Sequence, residues 1–231
     1  MASWFVPLLL GSYLLGSVPA SYIMARRFYG IDLRQYGTGQ VGGGNLWRMT
    51  SWKLAVPVSL FDGFKGLIIV WIAQSAGGSP TQQILVGLAA IIGHAWPVFL
   101  RFSGGRGIGT TMGVILILPI INEVTPWPTV TFFAILVIGT IILRSSPVPV
   151  LLAAAAVPVL SIIFGEPLTV NLALLAMFLV IVIKRLTAPL SPDSATVSRG
   201  RLLLNRFLFD RDIMDKNKWM YRKPPETAKQ E

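Results

Sequence analysis

The chain has no cysteine and a single histidine, His94. Disulfides, thiolate catalysis and cysteine-held metals are excluded at once, and one histidine cannot make a histidine metal cluster. No metal and no other cofactor is expected. Charge is scarce too: 13% of the 231 residues are charged, about half of the roughly 25% usual in soluble domains. Most of this surface is therefore not built for water. No positive stretch precedes the apolar segment that opens at Trp4, so that segment reads as a retained span rather than a signal peptide.

What the chain has is apolar length. It is 53% hydrophobic with a mean hydropathy of +0.65, and a membrane core of ~30 Å is crossed by about 20 apolar residues. Seven apolar segments stand out, at roughly 4–25, 54–76, 83–100, 108–121, 127–143, 147–164 and 168–184. They predict an all-α, polytopic integral membrane helix bundle with about seven transmembrane spans. The fourth segment is short for a full crossing, which leaves five spans as the alternative count.

Charge placement orients the bundle. The 20 Lys and Arg outnumber the 10 Asp and Glu, giving +10. Apart from Lys65, which lies within a span, the basic residues fall in 26–53, 101–107, 144–146 and the tail from Lys184. The opposite loops, 77–82, 122–126 and 165–167, hold only Glu123 and Glu166 among charged residues. Positive loops stay in the cytoplasm, so the N-terminus is expected outside. The same rule explains the net charge through anionic membrane lipids, with no nucleic-acid partner. Residues 1–186 form the transmembrane domain and 187–231 a basic cytoplasmic tail. In that tail RGRLLLNRFLFDRDIM reads as an amphipathic segment on the inner leaflet, and the terminal KPPETAKQE as disordered.

Four motifs carry polar chemistry. GTGQVGGGN, residues 37–45, has glycines that let backbone N–H groups face a ligand without Cβ obstruction, as in an anion-binding nest. Arg34 and Arg48 flank it and could fork onto phosphate oxygens; a flexible linker is the alternative. FDGFKG, residues 61–66, puts Asp62 and Lys65 on one face of a span. Ionisable groups there normally pair or line a polar cavity. GHAWPVFLRFSGGRGIG, residues 93–109, joins His94 to a second glycine-rich turn, Gly104-Gly105-Arg106, where amides and a guanidinium again suit an anion. RSSP, residues 144–147, offers Ser145 and Ser146 as helix caps or ligand donors.

In this order the motifs resemble those of the bacterial membrane glycerol-3-phosphate acyltransferases, the PlsY family, which uses acyl phosphate as donor. The resemblance covers about 10–186. GTGQVGGGNLWR resembles the family's GSGNxGAxNxxR, FDGFKG its D-x-x-K-G, and GHAWPVFLRFSGGRGIGTTMG its long second motif. The chain departs at Thr38-Gly39-Gln40, at Gly43-Gly44, and at Arg106, where the family has lysine. The family's histidine and asparagine near the end of the last span align with Leu179 and Val182, and its later Gly-x-Glu is missing.

The resemblance implies acyl transfer from acyl phosphate to the 1-hydroxyl of glycerol 3-phosphate, at a site facing the cytoplasm of the bacterial inner (cell) membrane. It implies catalytic roles for Arg106, Lys65 and Asp62. Substrate binding would fall to Gly37, Thr38, Gly39, Gln40, Gly42, Asn45, Arg48, His94, Gly104, Gly105, Ser145 and Ser146. The partners would be the two substrates and membrane lipids; nothing in the sequence sets an oligomeric state. The lost histidine and asparagine keep a non-catalytic homologue that binds lipid phosphate as the main alternative. An anion transporter would need basic residues on both faces, which the opposite loops lack.

Overall fold

The computed structural model describes residues 3–223, apart from the side chains of residues 192 and 196, and contains helices and no strand among them. The helices are α1 (Phe5–Ser17), α2 (Ala20–Tyr29), α3 (Gly43–Met49), α4 (Trp52–Ser75), α5 (Pro80–Ala95), α6 (Ile108–Ile121), α7 (Trp127–Leu143), α8 (Pro147–Ile163), α9 (Leu168–Leu186), α10 (Arg199–Phe209) and α11 (Lys216–Met220). Short 3-10 turns sit at Val98–Leu100 and Pro192–Thr196. All seven apolar segments are helical. Four stretches are long and apolar enough to cross a membrane: Phe5–Tyr29, Trp52–Ser75, Pro80–Leu100 and Leu168–Leu186. The other three, α6, α7 and α8, are shorter. At 1.5 Å rise per residue the 14 residues of α6 span only about 21 Å.

Helix α5 is the centre, packed against α1, α4, α6 and α9. Its start is well specified: Ser79 and Gln82 form a reciprocal capping box, with Pro80 in the first turn, where its missing N–H costs nothing. Val70, Val86, Ile91 and Val114 are fully buried in the core this makes. Close approach depends on small residues. A side chain at Gly66 of α4 would run into the Thr110 carbonyl of α6, and one at Gly93 of α5 into the Tyr13 carbonyl of α1. Lipid supplies no hydrophobic drive between helices, so such contacts carry the association. Large apolar side chains such as Leu10, Ile141, Ile163 and Leu172 lie exposed on the outside of the bundle.

The first apolar segment is not one helix. Pro19 removes an N–H, and the residue before a proline is pushed out of the helical region; Val18 accordingly takes φ −63°, ψ 110°. The chain breaks there into α1 and α2.

In the tail, helix α10 forms over the segment expected to lie on the inner leaflet and packs against α8 and α9. Its Asn205 and Arg206 are buried, while Arg201, Leu203 and Leu204 are exposed, an outward face that mixes basic and apolar side chains. The terminal residues read as disordered lie, from 224 on, outside the described residues.

Candidate active site

The break between α1 and α2 organises a buried ion pair. Lys65 of α4 donates to the Val18 carbonyl at 2.6 Å and to Asp62 Oδ1 at 2.9 Å. Lys65 and Asp62 are 2% and 4% exposed, so neither charge would persist here without the other. His94, on α5, turns Nδ1 toward the same Asp62 oxygen at 3.5 Å. A cavity of about 10 Å³, lined by Val18, Pro19, Val41, Asp62, His94 and Gly104 among others, lies at this junction; that is room for about one water.

The first glycine-rich loop is held from inside by Asn45. Its Oδ1 accepts from the Thr38 N–H at 3.1 Å, and its Nδ2 reaches the carbonyls of Leu33, Tyr36 and Gln40 at 3.3, 2.9 and 3.1 Å. Gly37 and Gly39 take φ of +57° and +71°, a region side chains rarely enter. The nest reading of 37–45 changes at three of its amides. The amides of Gly37, Thr38 and Gly39 are spent on Arg222 O, Asn45 Oδ1 and Tyr36 O, so they frame the loop and do not face a ligand. Asn45, fully engaged, is likewise a frame.

Unpartnered donors remain beside the loop: Thr38 Oγ1 and Arg48 Nε are buried with no hydrogen-bond partner. Burial pushes the Arg48 guanidinium down from its ordinary value, against a smaller upward pull from Tyr221; it is still a cation. Arg34, expected to reach phosphate, instead grips Asp32 in a fork at 2.6 to 3.2 Å. Burial of Asp32 raises its pKa, but the hydrogen bonds and charge of Arg34 outweigh this and leave it lowered.

The second glycine-rich turn lies directly on the first. The Gly105 N–H donates to the His94 carbonyl at 3.2 Å. A side chain on Gly105 would strike the Val41 carbonyl and His94 Nε2, and one on Gly104 the His94 carbonyl. Glycine at both positions lets the two loops and His94 close on one another. Arg106 then turns outward to the tail. Its Nε lies 2.8 and 3.0 Å from the two oxygens of Asp210, its Nη2 lies 2.7 Å from Oδ1, and its Nη1 donates to the Lys184 carbonyl at 3.1 Å. Gln40 Nε2 completes the contact, 3.2 Å from Asp210 Oδ2.

The structure thus brings together Gln40, Asp62, Lys65, His94, Gly104, Gly105 and Arg106, with Gly37, Thr38, Gly39, Gly42, Asn45 and Arg48 in the adjoining loop. Ser146 stands at the start of α8 with its side chain unused for capping, and the chain beside it reaches the cationic end of α9, where the Pro147 carbonyl accepts from Arg185 at 2.7 Å.

Sequence reasoning missed the inner end of α9 and the tail. Lys184 and Arg185 are buried. Arg185 donates to the Phe207 and Pro147 carbonyls at 2.9 and 2.7 Å, and Lys184 lies 5.0 Å above the Trp96 ring. Arg206 binds Asp212 at 2.7 Å and the Leu186 carbonyl at 2.9 Å. The paired aspartates in FDRD, inside a basic run, were the available signal. Leu179, at the place of the family's histidine, is 46% exposed and faces outward.

A family model described as glycerol-3-phosphate acyltransferase matches residues 6–188. This chain belongs to the glycerol-3-phosphate acyltransferase family. It is a membrane protein and an acyltransferase. "Glycerol-3-phosphate acyltransferase 4" of Dehalococcoides mccartyi (strain CBDB1) is 38% identical, over 96% of this chain and 95% of its own length. A family member from Desulforudis audaxviator (strain MP104C) is 39% identical over 71% of this chain and 85% of its own. The crystal structure of PlsY (YgiH), described as an integral membrane glycerol 3-phosphate acyltransferase in its glycerol 3-phosphate form, superposes with a TM-score of 0.71. It is 28% identical, over 79% of this chain and 88% of that one. An alignment over 96% of the chain takes in most of the tail, so the Dehalococcoides relative has residues aligned with it.

Proposed function

We propose that the protein transfers a fatty acyl group from acyl phosphate to the 1-hydroxyl of glycerol 3-phosphate. The reaction takes place on the cytoplasmic side of the bacterial cell membrane, with the N-terminus outside. The hydroxyl oxygen attacks the acyl carbonyl carbon, the bond from that carbon to the phosphate oxygen breaks, and inorganic phosphate leaves. The hydroxyl proton goes to the departing phosphate, so no protein base is needed. The products are 1-acyl-glycerol 3-phosphate and inorganic phosphate.

The observation that carries this is the contact of Gly105 with both Val41 and His94, which makes one centre of two cationic loops beside apolar helices. An acyl chain lies among the helices while the phosphates stay at the positive edge. Thr38 and Arg48, with unpartnered donors, bind the glycerol phosphate, inside the frame of Gly37, Gly39, Gln40, Gly42 and Asn45. Arg106 holds the donor phosphate and takes up charge as it leaves, on a turn that Gly104 and Gly105 let close against His94 and Val41, an electrostatic contribution of the kind that dominates many acyl transfers. The Asp62–Lys65 pair, with His94 against it, fixes the floor of the site; Ser145 and Ser146 contact substrate at its edge. Orientation supplies much of the rest.

The test is product analysis. Purified protein given acyl phosphate and glycerol 3-phosphate should form one 1-acyl-glycerol 3-phosphate per phosphate released, and acyl-CoA should not replace the donor. Absence of the lipid product, with tight binding of lipid phosphate retained, would instead establish the non-catalytic homologue.

A further inference from the structure

Asp210 ends α10 with φ +52°, ψ 41°, a left-handed backbone that few residues other than glycine adopt but that Asp and Asn tolerate. That turn aims its carboxylate back across 104 residues of sequence onto Arg106. Arg106 meets it through Nε and Nη2 at 2.7 to 3.0 Å, and Gln40 of the first loop donates at 3.2 Å. The pair is well shielded, the two side chains being 9% and 12% exposed. A guanidinium fork accepts carboxylate and phosphate oxygens in the same two-pronged geometry, so the chain's own carboxylate stands where a phosphate on Arg106 would stand.

The surroundings are cationic beyond what one carboxylate balances. Arg185 donates to the Phe207 and Pro147 carbonyls, and the Lys184 ammonium lies over Trp96. Each is buried, and among the described residues neither forms an ion pair with a carboxylate. A phosphate carries more negative charge than a carboxylate and suits three clustered cations better. The tail is fastened to the bundle on both sides of Asp210 independently of it: Arg206 donates to the Leu186 carbonyl at the end of α9 at 2.9 Å, and Lys216 donates to the Arg144 carbonyl at 2.7 Å. The carboxylate can therefore leave Arg106 without the tail coming away.

We propose that Asp210 sets the affinity of the Arg106 seat for the anionic substrate, its carboxylate holding the place of a phosphate until substrate displaces it. This rests on the reading that Arg106 receives phosphate. Removing the internal competitor should tighten phosphate binding, by roughly tenfold for a charge-assisted hydrogen-bonded pair of ordinary strength.

The experiment uses the purified full-length chain in detergent and its Asp210→Asn variant, which keeps the left-handed turn and loses the charge. Inorganic phosphate affinity is measured by calorimetry, and KM and kcat are measured for acyl phosphate. The expected result is about tenfold tighter phosphate binding, with KM falling by a similar factor. Unchanged or weaker phosphate binding in the variant overturns the proposal, as does a fall in kcat with no gain in affinity, which would make Asp210 a residue that positions Arg106. Should Asp210→Asn fail to fold, Asp210→Gly, which suits the same backbone, carries the same expectation. Phosphate binding needs no turnover, so the two readings separate. Tighter phosphate binding in a chain that transfers no acyl group upholds this inference and defeats the proposed function; normal transfer with no tightening does the reverse.

Discussion

The ammonium of Lys65 sits 2.6 Å from the carbonyl of Val18, the last residue before the proline that breaks the first span. The break at Pro19 thus takes the Val18 carbonyl out of the helical ladder, where it accepts from the Ala20 N–H at 3.1 Å and from the lysine of FDGFKG inside the membrane. Asp62 balances the charge and carries the contact on to His94. The break, the ion pair and the second glycine-rich turn form one connected polar unit.

That unit is a stability element before it is a chemical one. Lys65→Ala leaves Asp62 as a buried carboxylate with only His94, 3.5 Å away, beside it, so the detergent-solubilised variant should lose about 3 kcal/mol of stability. The double variant Asp62→Asn with Lys65→Met should recover much of this. Thermal unfolding of the three proteins checks it, and a double variant no better than Lys65→Ala would show that the pairing is not the cause.

Gly105 tests the junction of the loops. Alanine there puts a methyl group into the Val41 carbonyl and His94 Nε2, so one side must move. A misplacement of about 1 Å can cost roughly 100-fold in rate. Gly105→Ala should therefore lose transfer while keeping the elution profile of the folded protein. Wild-type rates would mean that the loops need not touch.

Asn45 separates frame from ligand. Asn45→Ala leaves several loop carbonyls and the Thr38 N–H without their partner, each buried unsatisfied group costing about 1–3 kcal/mol. The expected outcome is faster protease cleavage within 33–45 together with lost activity. A variant with an intact, protease-resistant loop and only a raised KM would return Asn45 to direct substrate binding.

His94 decides where the proton goes. Loss of a general base typically costs 10²–10⁴-fold. If the leaving phosphate takes the proton, His94→Gln should slow kcat by less than about tenfold, with no change in the acidic limb of the pH–rate profile. A loss of about a thousandfold, with that limb abolished, would make His94 the base.

How much of this was legible beforehand follows from what periodicity and composition can see. The seven apolar segments emerged as helices because long uncharged runs have few alternatives. The break at Pro19 was passed over since hydropathy stays high across Ser17-Val18-Pro19-Ala20; the proline itself was the signal. The glycine-rich loops were found, but the use of their amides was not. Glycine reports freedom of the backbone and not the direction of its N–H groups, and only the fold reveals that Asn45 and Arg222 consume them. Asp210 was hidden for a different reason. Its contact with Arg106 spans 104 residues, and in a tail rich in basic residues the aspartates of FDRD read as partners for their neighbours.

The most direct measurement is the rate of phosphate release by the purified native chain as both acyl phosphate and glycerol 3-phosphate are varied, beside Arg48→Ala and Arg106→Ala. The account predicts release that saturates in each substrate and requires both. It also predicts a drop of about 100-fold or more in each variant, the scale of losing one donor to a developing anion. Phosphate release that ignores glycerol 3-phosphate, or full rates in both arginine variants, would contradict it.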